Sequence, residues 1–176
     1  MKLVTKYKGY LAGVVAIALV IFFWPSTGET MAGRTADIRI AAAQQAVGGI
    51  FGENDINQIF VSNVDNMAEI EILFATWARE NSGALFVKIS EVDGEEFFSE
   101  TLDMAEMIDN SFVSFKFPPR KDSKNKRYLI KLSSPQSTAE NNVTCWGMVE
   151  NVPVGFELTY GSQKSNLVMV FNTFTG

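Results

Sequence analysis

The stretch MAEIEILFATW, residues 67–77, decides the fold class because its apolar residues recur at every second position. Ile70 and Ile72 fall on one face of an extended chain. Glu69 and Glu71 fall on the other. Side chains of a β-strand alternate between the two faces of a sheet, so this pattern predicts a half-buried strand with Glu69 and Glu71 toward solvent.

Alternation with a period of two continues on both sides of this stretch. The predicted strands are QIFVS from Gln58, ALFVKISEV from Ala84, EEFFSETL from Glu95, SFVSFKF from Ser111, RYLIKLSS from Arg127, NVTCWGM from Asn142, VGFELTY from Val154 and NLVMVFNTF from Asn166. Asp93-Gly94 predicts a hairpin turn, and Pro118-Pro119 predict a strand end because proline donates no ladder hydrogen bond. LDMAEMIDN, residues 102–110, is the short helical candidate. Short strands at intervals of about ten residues predict an all-β, antiparallel β-sandwich with a jelly-roll-like arrangement.

The N-terminal segment predicts a membrane anchor. The run GYLAGVVAIALVIFFW from Gly9 carries no charge, and Lys2, Lys6 and Lys8 precede it. Basic residues stay on the cytoplasmic side, which places the rest of the chain outside. The predicted organisation is a cytoplasmic basic tail at 1–8, a transmembrane signal-anchor helix at 9–25, a linker at 26–43 and an extracytoplasmic β-sandwich domain at 44–176.

Two alternatives for the N-terminal segment stay open. A cleaved signal peptide has the same charge pattern, but it needs a small-residue cleavage site, and the bulky Phe22, Phe23 and Trp24 follow the apolar core. A type IV pilin also begins with an apolar helix, but such a helix normally carries an acidic residue near its start, and here the first acidic residue is Glu29.

Composition excludes several function classes. The net charge of −5 argues against a nucleic-acid partner, which requires a basic surface. The chain has no His, which removes the commonest general base and the commonest zinc ligand. Its single Cys, Cys145, cannot form an intramolecular disulfide and predicts a buried, inert thiol. We therefore predict no catalytic residues, no enzymatic activity and no bound metal.

The order of several fragments resembles a known group of modules. The fragments are Gln58-Ile59-Phe60-Val61, DNMAEIEILFATW from Asp65, Asp109-Asn110 followed by SFVSFKFPP, Asp122-Ser123-Lys124 followed by KRYLIKLSSP, and Asn142-Val143-Thr144-Cys145-Trp146. This order, over about residues 45 to 174, is similar to that of extracytoplasmic β-sandwich modules associated with bacterial and archaeal membrane glycosyltransferases and polysaccharide-assembly proteins. The resemblance implies a role in envelope glycan assembly and supplies no catalytic residues.

Two sets of residues are candidate ligand-binding sites. Trp77 and Trp146 carry flat aromatic faces that can stack on a sugar ring, although a Trp in a sandwich also serves as core. The second set is a basic loop that could contact anionic lipid or acidic polysaccharide, or could be a solvated hairpin tip. It consists of Arg120, Lys121, Lys124, Lys126 and Arg127, with Asp122 as the one acid.

Two further motifs have weaker patterns. Every charged residue from Glu91 to Asp109 is acidic, and oxygen-rich clusters suit calcium, although EF-hand spacing is absent. The same carboxylates are candidates for a glycosidase pair, which requires two carboxyl groups at a fixed distance across a cleft. Asn142-Val143-Thr144 fits the N-glycosylation sequon.

The sequence thus predicts a single-pass membrane protein with a cytoplasmic N-terminus and a periplasmic or extracellular binding domain. Its expected role is a non-catalytic binding or scaffolding module in envelope polysaccharide or glycoconjugate assembly. The expected partners are the membrane and either a glycan or a neighbouring envelope membrane protein. The alternatives are a pilin-like structural subunit of a surface filament or envelope complex, and a hydrolase that acts through carboxylates.

Overall fold

The structure is a computed structural model that describes residues 34–40, 42–149 and 151–176. The predicted tail 1–8, the anchor helix 9–25 and half of the predicted linker (residues 26–33 and 41) lie outside these residues. Within the described ranges, no helix has the length and hydropathy needed to cross a membrane.

The secondary structure of the described residues consists of β-strands. The strands are β1 (Thr35–Arg39), β2 (Gln45–Ala46), β3 (Ile56–Val61), β4 (Met67–Ala75), β5 (Ala84–Glu91), β6 (Glu96–Asp103), β7 (Ser111–Arg120), β8 (Arg127–Ser133), β9 (Thr144–Met148), β10 (Glu157–Tyr160), β11 (Gln163–Ser165), β12 (Val168–Met169) and β13 (Phe171–Thr175). Every stretch that the alternation assigned to a strand contributes to one of them.

The strands form two antiparallel sheets. The first has the order β1-β13-β4-β9-β12, with β2 paired to β9 and β7 paired to β4. The second has the order β11-β10-β3-β8-β5-β6. The prediction of an all-β, sandwich-like fold is confirmed, whereas the jelly-roll-like arrangement stays a prediction.

The core lies between the inner faces of the two sheets. The ring centroids of Phe60 on β3 and Phe171 on β13 are 5.1 Å apart, which places one residue of each sheet in direct contact. Near the other edge, Phe97 on β6 and Phe117 on β7 lie 5.3 Å apart in an edge-to-face arrangement. Burial of these apolar faces is the main source of stability of such a fold.

The turn after β5 confirms the predicted hairpin. β5 and β6 pair in antiparallel fashion, with Ala84 opposite Asp103. Asp93 has φ = 64°, a left-handed conformation that Asp tolerates better than most residues.

The first strand lies inside the predicted linker. Residues 35–39 form β1 and pair with β13. Just before β1, Arg34 binds Glu69 through Nε at 2.9 Å and Glu71 through Nη2 at 2.6 Å. Glu69, which the alternation placed toward solvent, is therefore buried, because the arriving Arg34 covers it and compensates its charge.

Two local predictions were wrong. Pro118 and Pro119 do not end β7, which continues to Arg120. The register of β7 against β4 shifts at this point, so the prolines occupy an irregular part of a strand that pairs with β4 alone in the described sheets. The helical candidate 102–110 is instead the end of β6 followed by turns.

Candidate functional site

A strained turn after β4 presents Trp77. Trp77 and Ala78 have φ of 62° and 51°, and two successive non-glycine residues in the left-handed region cost conformational energy. The turn is held by its neighbours. The Thr76 N–H donates to Asp109 Oδ1 at 2.6 Å, and the Asn81 side-chain amide donates to the Thr76 carbonyl at 3.0 Å. The hydrogen bond from Thr76 lowers the pKa of Asp109.

The indole of Trp77 is fixed by Asn142. Trp77 Nε1 donates to Asn142 Oδ1 at 3.0 Å. Asn142 Nδ2 donates in turn to the carbonyl oxygens of Thr138 and Ala139, at 2.8 Å each. A side chain at position 49 would collide with this network, since a Cβ on Gly49 would lie 2.5 Å from Asn142 Oδ1. Trp77 nevertheless stays 44% exposed, so its ring is held in place without being covered.

Trp146 lies at the same end of the first sheet. Its Nε1 donates to Asn110 Oδ1 at 2.8 Å, and Asn110 follows Asp109, the residue that holds the Trp77 turn. Trp146 is half-buried, on β9 next to the inward Cys145. The structure therefore brings the two sequence-predicted tryptophans to one region, with each indole N–H occupied by an asparagine.

Phe112 adds a third aromatic ring to this region. It lies opposite Leu73 in the pairing of β7 with β4, on the face away from the core residue Phe115. Phe112 is 46% exposed. We call the region formed by Trp77, Asn110, Phe112, Asn142 and Trp146 the aromatic end.

An apolar cavity of about 240 Å³ lies beside Phe112. Apolar side chains make up most of its lining, which consists of Leu102, Met107, Ile108, Phe112 and Val113 with Asp103, Glu106 and Ser111. Ile108 is 72% exposed and adds to the apolar surface that Phe112 presents here.

The basic loop forms a separate cluster at the junction of β7 and β8. Glu91 Oε1 accepts hydrogen bonds from Arg120 Nη2 at 3.0 Å and from Lys126 Nζ at 3.2 Å, and these two bonds lower the pKa of Glu91. The Arg120 guanidinium also lies 4.5 Å from the centroid of the Phe97 ring. A cavity of about 220 Å³ opens here, lined by Pro119, Arg120, Lys121, Asp122, Lys126 and Tyr128. We call it the basic cavity.

The other two predicted basic residues lie outside the basic cavity. Arg127 pairs with Glu157 at 3.4 Å. Lys124 is exposed, and its backbone N–H donates to Asp65 Oδ1 at 3.0 Å. The predicted set of five cations is thus divided by the structure into three that share a cavity and two that do not.

The acidic stretch does not assemble into a metal site. Glu91 is engaged by Arg120 and Lys126, whereas Glu96 pairs with Lys88 at 2.9 Å. Among residues 34–40, 42–149 and 151–176, no group of three or more Cys, Asp or Glu side chains could hold a metal ion.

The asparagine of the sequon and the single cysteine are both buried. Asn142 of the sequon is 2% exposed, and its amide nitrogen already makes two hydrogen bonds, so it is inaccessible to glycosylation in the folded domain. Cys145 is fully buried, as predicted, and burial raises the pKa of its thiol, which disfavours the reactive thiolate form.

Sequence reasoning missed the residues that support these sites. Asn110 and Asn142 anchor the tryptophans. Tyr128 lines the basic cavity, and Glu91 pairs with Arg120 and Lys126 of its wall. Asn142 stood out only as part of a sequon, and Tyr128 only as a strand residue. Their roles depend on partners far away in the chain.

Comparison with models of known protein families gives no match for this chain. Comparison with curated proteins gives none either.

Proposed function

We propose that this chain is a membrane-tethered, non-catalytic binding module whose β-domain faces the periplasm or the cell exterior. In this proposal the anchor is the apolar segment 9–25, and the module serves envelope polysaccharide or glycoconjugate assembly. The order of sequence fragments described above supports the process, and the basic residues before the apolar segment support the orientation.

The observation that carries the binding role is the aromatic end. Trp77 and Phe112 expose part of their rings, and the turn that bears Trp77 is strained but held by Asp109 and Asn142. Strained, well-anchored turns recur at functional sites because the surrounding structure pre-organises them. A fixed, partly exposed ring can stack on the apolar face of a pyranose with little loss of side-chain entropy.

Polar groups beside the rings suit the hydroxyls of the same sugar. Arg79 Nη2 donates to the Asn142 carbonyl at 3.2 Å, which fixes its guanidinium near Trp77. Asn110 Nδ2 donates to Asp109 Oδ2 at 2.9 Å, close to Trp146. The aromatic end therefore combines apolar rings with donors and acceptors, the combination expected of a glycan site.

Glycan binding by the full-length protein tests the proposal. The chain is purified in a polyoxyethylene detergent, which carries neither sugar nor charge, and is applied to a glycan array. A bound glycan is then titrated against the wild type, Trp77→Ala and Trp77→Phe. We expect Trp77→Ala to weaken binding about tenfold and Trp77→Phe, which keeps a ring, to weaken it less.

Val154→Ala is the matched control, because Val154 is an apolar side chain that is 98% exposed and lies outside the aromatic end. It should bind like the wild type. Absence of any bound glycan, or equal affinity of Trp77→Ala and the wild type, would contradict the proposal.

A second candidate function is a structural subunit of an envelope complex. The observation that favours it is the apolar cavity at Ile108 and Phe112, next to β7, whose outer edge is unpaired in the described sheets. In that case Phe112→Lys should convert a large detergent-solubilised assembly into monomers. A monomeric wild type in light scattering would exclude this candidate.

A further inference from the structure

The basic cavity contains a buried hydroxyl without a partner. Tyr128 is fully buried, and its Oη makes no hydrogen bond to any of the described residues. Leaving a buried hydroxyl unpaired is costly, and such groups are rare in folded proteins. Tyr128 lines the cavity, so a ligand there could supply the missing partner.

The surroundings of this hydroxyl are charged. Burial raises the pKa of Tyr128, and the negative charge of Glu91 raises it further, whereas the nearby Arg120 opposes this shift. The Tyr128 hydroxyl therefore remains protonated at neutral pH, which makes it a hydrogen-bond donor for an anion. The Arg120 guanidinium lies near the Tyr128 hydroxyl, but the geometry between the two groups does not meet the criteria for a hydrogen bond.

The cavity walls are held in position before any ligand arrives. Ser123 in the loop is fully buried, and its Oγ donates to the Val64 carbonyl at 2.8 Å. The Lys126 N–H donates to the Ser123 carbonyl at 3.1 Å. The guanidinium of Arg120 is fixed between Glu91 and the ring of Phe97. This rigidity lowers the entropic cost of binding.

Charge decides which ligand fits. Arg120, Lys121 and Lys126 carry three positive charges, and Glu91 with Asp122 carry two negative ones. Arg120 and Lys126 share Glu91 but keep further N–H donors, which together with Lys121 and the Tyr128 hydroxyl can bind a new anion. Four donor groups match the several terminal oxygens of a phosphoryl group better than the two oxygens of a carboxylate.

We propose that the basic cavity binds a phosphoryl group, with Arg120, Lys121 and Lys126 supplying positive charge and the Tyr128 hydroxyl donating a hydrogen bond. This site is separate from the aromatic end and does not depend on the glycan proposal. A phosphorylated sugar and a phospholipid headgroup are two sources of the same chemistry.

Binding of inorganic phosphate to the full-length protein in polyoxyethylene detergent tests the site. Affinity is measured by calorimetric titration at pH 7.5 and low salt, and thermal unfolding is recorded with and without phosphate. Tyr128→Phe should weaken binding about tenfold, because a hydrogen bond to a charged ligand is lost. Without phosphate, the same variant should melt no lower than the wild type, since it removes an unpaired buried hydroxyl.

Matched variants distinguish binding in the basic cavity from a general attraction of phosphate to the positively charged loop. Lys121→Gln removes a charge from the cavity wall, whereas Lys124→Gln removes one from the same loop outside the cavity. We expect several-fold weaker binding for Lys121→Gln and little change for Lys124→Gln. Tyr160→Phe removes a hydroxyl that donates to the Gly49 carbonyl at 2.9 Å, so it should lower stability without changing phosphate affinity.

Two further titrations distinguish the sources. The affinities of glucose 1-phosphate and of short-chain dihexanoyl phosphatidic acid are compared with that of inorganic phosphate. The ligand that binds more tightly shows whether the site takes a phosphorylated sugar or a phospholipid headgroup. No phosphate binding, equal affinity of Tyr128→Phe and the wild type, or equal losses in Lys121→Gln and Lys124→Gln would each overturn the proposal. Each of these results leaves the glycan-array result at Trp77 unaffected.

Discussion

The side-chain oxygen Oε1 of Gln58 accepts a hydrogen bond of 2.8 Å from the backbone N–H of Met169. Gln58 is on β3 in the second sheet, and Met169 is on β12 in the first, so this bond crosses the core. The Gln58 amide nitrogen also donates to the Ile59 carbonyl at 2.7 Å. The fully buried side chain of Gln58 thus provides an acceptor for a backbone N–H of the opposite sheet, which would otherwise have no partner.

Gln58→Ala should destabilise the domain by about 2–4 kcal/mol, because it leaves the buried Met169 N–H without an acceptor and opens a cavity. Asn57→Ala is the control. Asn57 is only half-buried and makes a longer bond of 3.3 Å to Thr159 Oγ1, so its loss should cost about 1 kcal/mol or less. Urea unfolding followed by tryptophan fluorescence measures both. If both variants lost the same free energy of unfolding, the hydrogen bond between Gln58 and Met169 would contribute no more to stability than the bond of Asn57.

The ion pair of Arg34 and Glu69 leads to a second prediction. Glu69 is buried, also accepts a hydrogen bond from Ser114 Oγ, and faces Arg34, whose guanidinium lies 3.5 Å from the centroid of the Phe174 ring. Arg34→Met should destabilise the domain by about 3 kcal/mol, because it leaves the buried carboxylate of Glu69 without a compensating positive charge.

The double variant Arg34→Met/Glu69→Gln should recover at least about 1 kcal/mol of that loss, since no charge is then left buried. As a control, Lys88→Met breaks an exposed pair with Glu96 and should change stability by about 1 kcal/mol or less. If the double variant were no more stable than Arg34→Met, the carboxylate would not be the cause of the loss.

The strands were predictable because alternation is a local property of the chain. Ile70 and Ile72 lie on the same face of β4 whichever strands pair with it, so the pairing partners are not needed to predict this strand. The alternation is weaker in β1, because only Ile38 and Ile40 of its segment are apolar and buried, and its pairing partner β13 lies at the far end of the chain.

The candidate sites were only partly predictable for the same reason. Trp77 and Trp146 attract attention by residue type alone. Their anchors do not, since Asn142 is 65 residues from Trp77 and Asn110 is 36 residues from Trp146. The unpaired hydroxyl of Tyr128 has no sequence signal at all, because it exists only once the surrounding donors and acceptors have found other partners.

The strained turn at Trp77 predicts a stabilising substitution. Ala78 has φ = 51°, a conformation that costs an L-residue about 1–2 kcal/mol and costs glycine little. Allowing for the greater freedom of glycine in the unfolded chain, Ala78→Gly should stabilise the domain by about 0.5–1 kcal/mol. Ala75→Gly, three residues earlier within β4, should instead destabilise by about 1 kcal/mol.

The melting temperatures of these two variants should therefore move in opposite directions. A loss of stability in both would mean that the turn at residues 77–78 is not strained. Glycan titration of Ala78→Gly gives a further readout, because a more flexible turn holds Trp77 less rigidly and should weaken binding even as the fold gains stability.

Acid sensitivity follows from Glu91 and Asp109, whose pKa values are both lowered in the folded domain. Hydrogen bonds from Arg120 and then Lys126 lower that of Glu91, and the Thr76 N–H lowers that of Asp109. A carboxylate with a lowered folded-state pKa stabilises the fold above its unfolded pKa of about 4, and this contribution is lost as the pH falls through the folded value. The melting temperature should therefore stay level between about pH 7 and 5 and fall below about pH 4.

Asp109→Asn keeps an acceptor oxygen for Thr76 but cannot titrate, so it should show a smaller drop in melting temperature between pH 5 and pH 3 than the wild type. Its Trp77 environment, followed by fluorescence, should also change less over that range, because Asp109 holds the turn that bears this ring. Identical acid profiles for Asp109→Asn and the wild type would show that Asp109 does not contribute to the acid response.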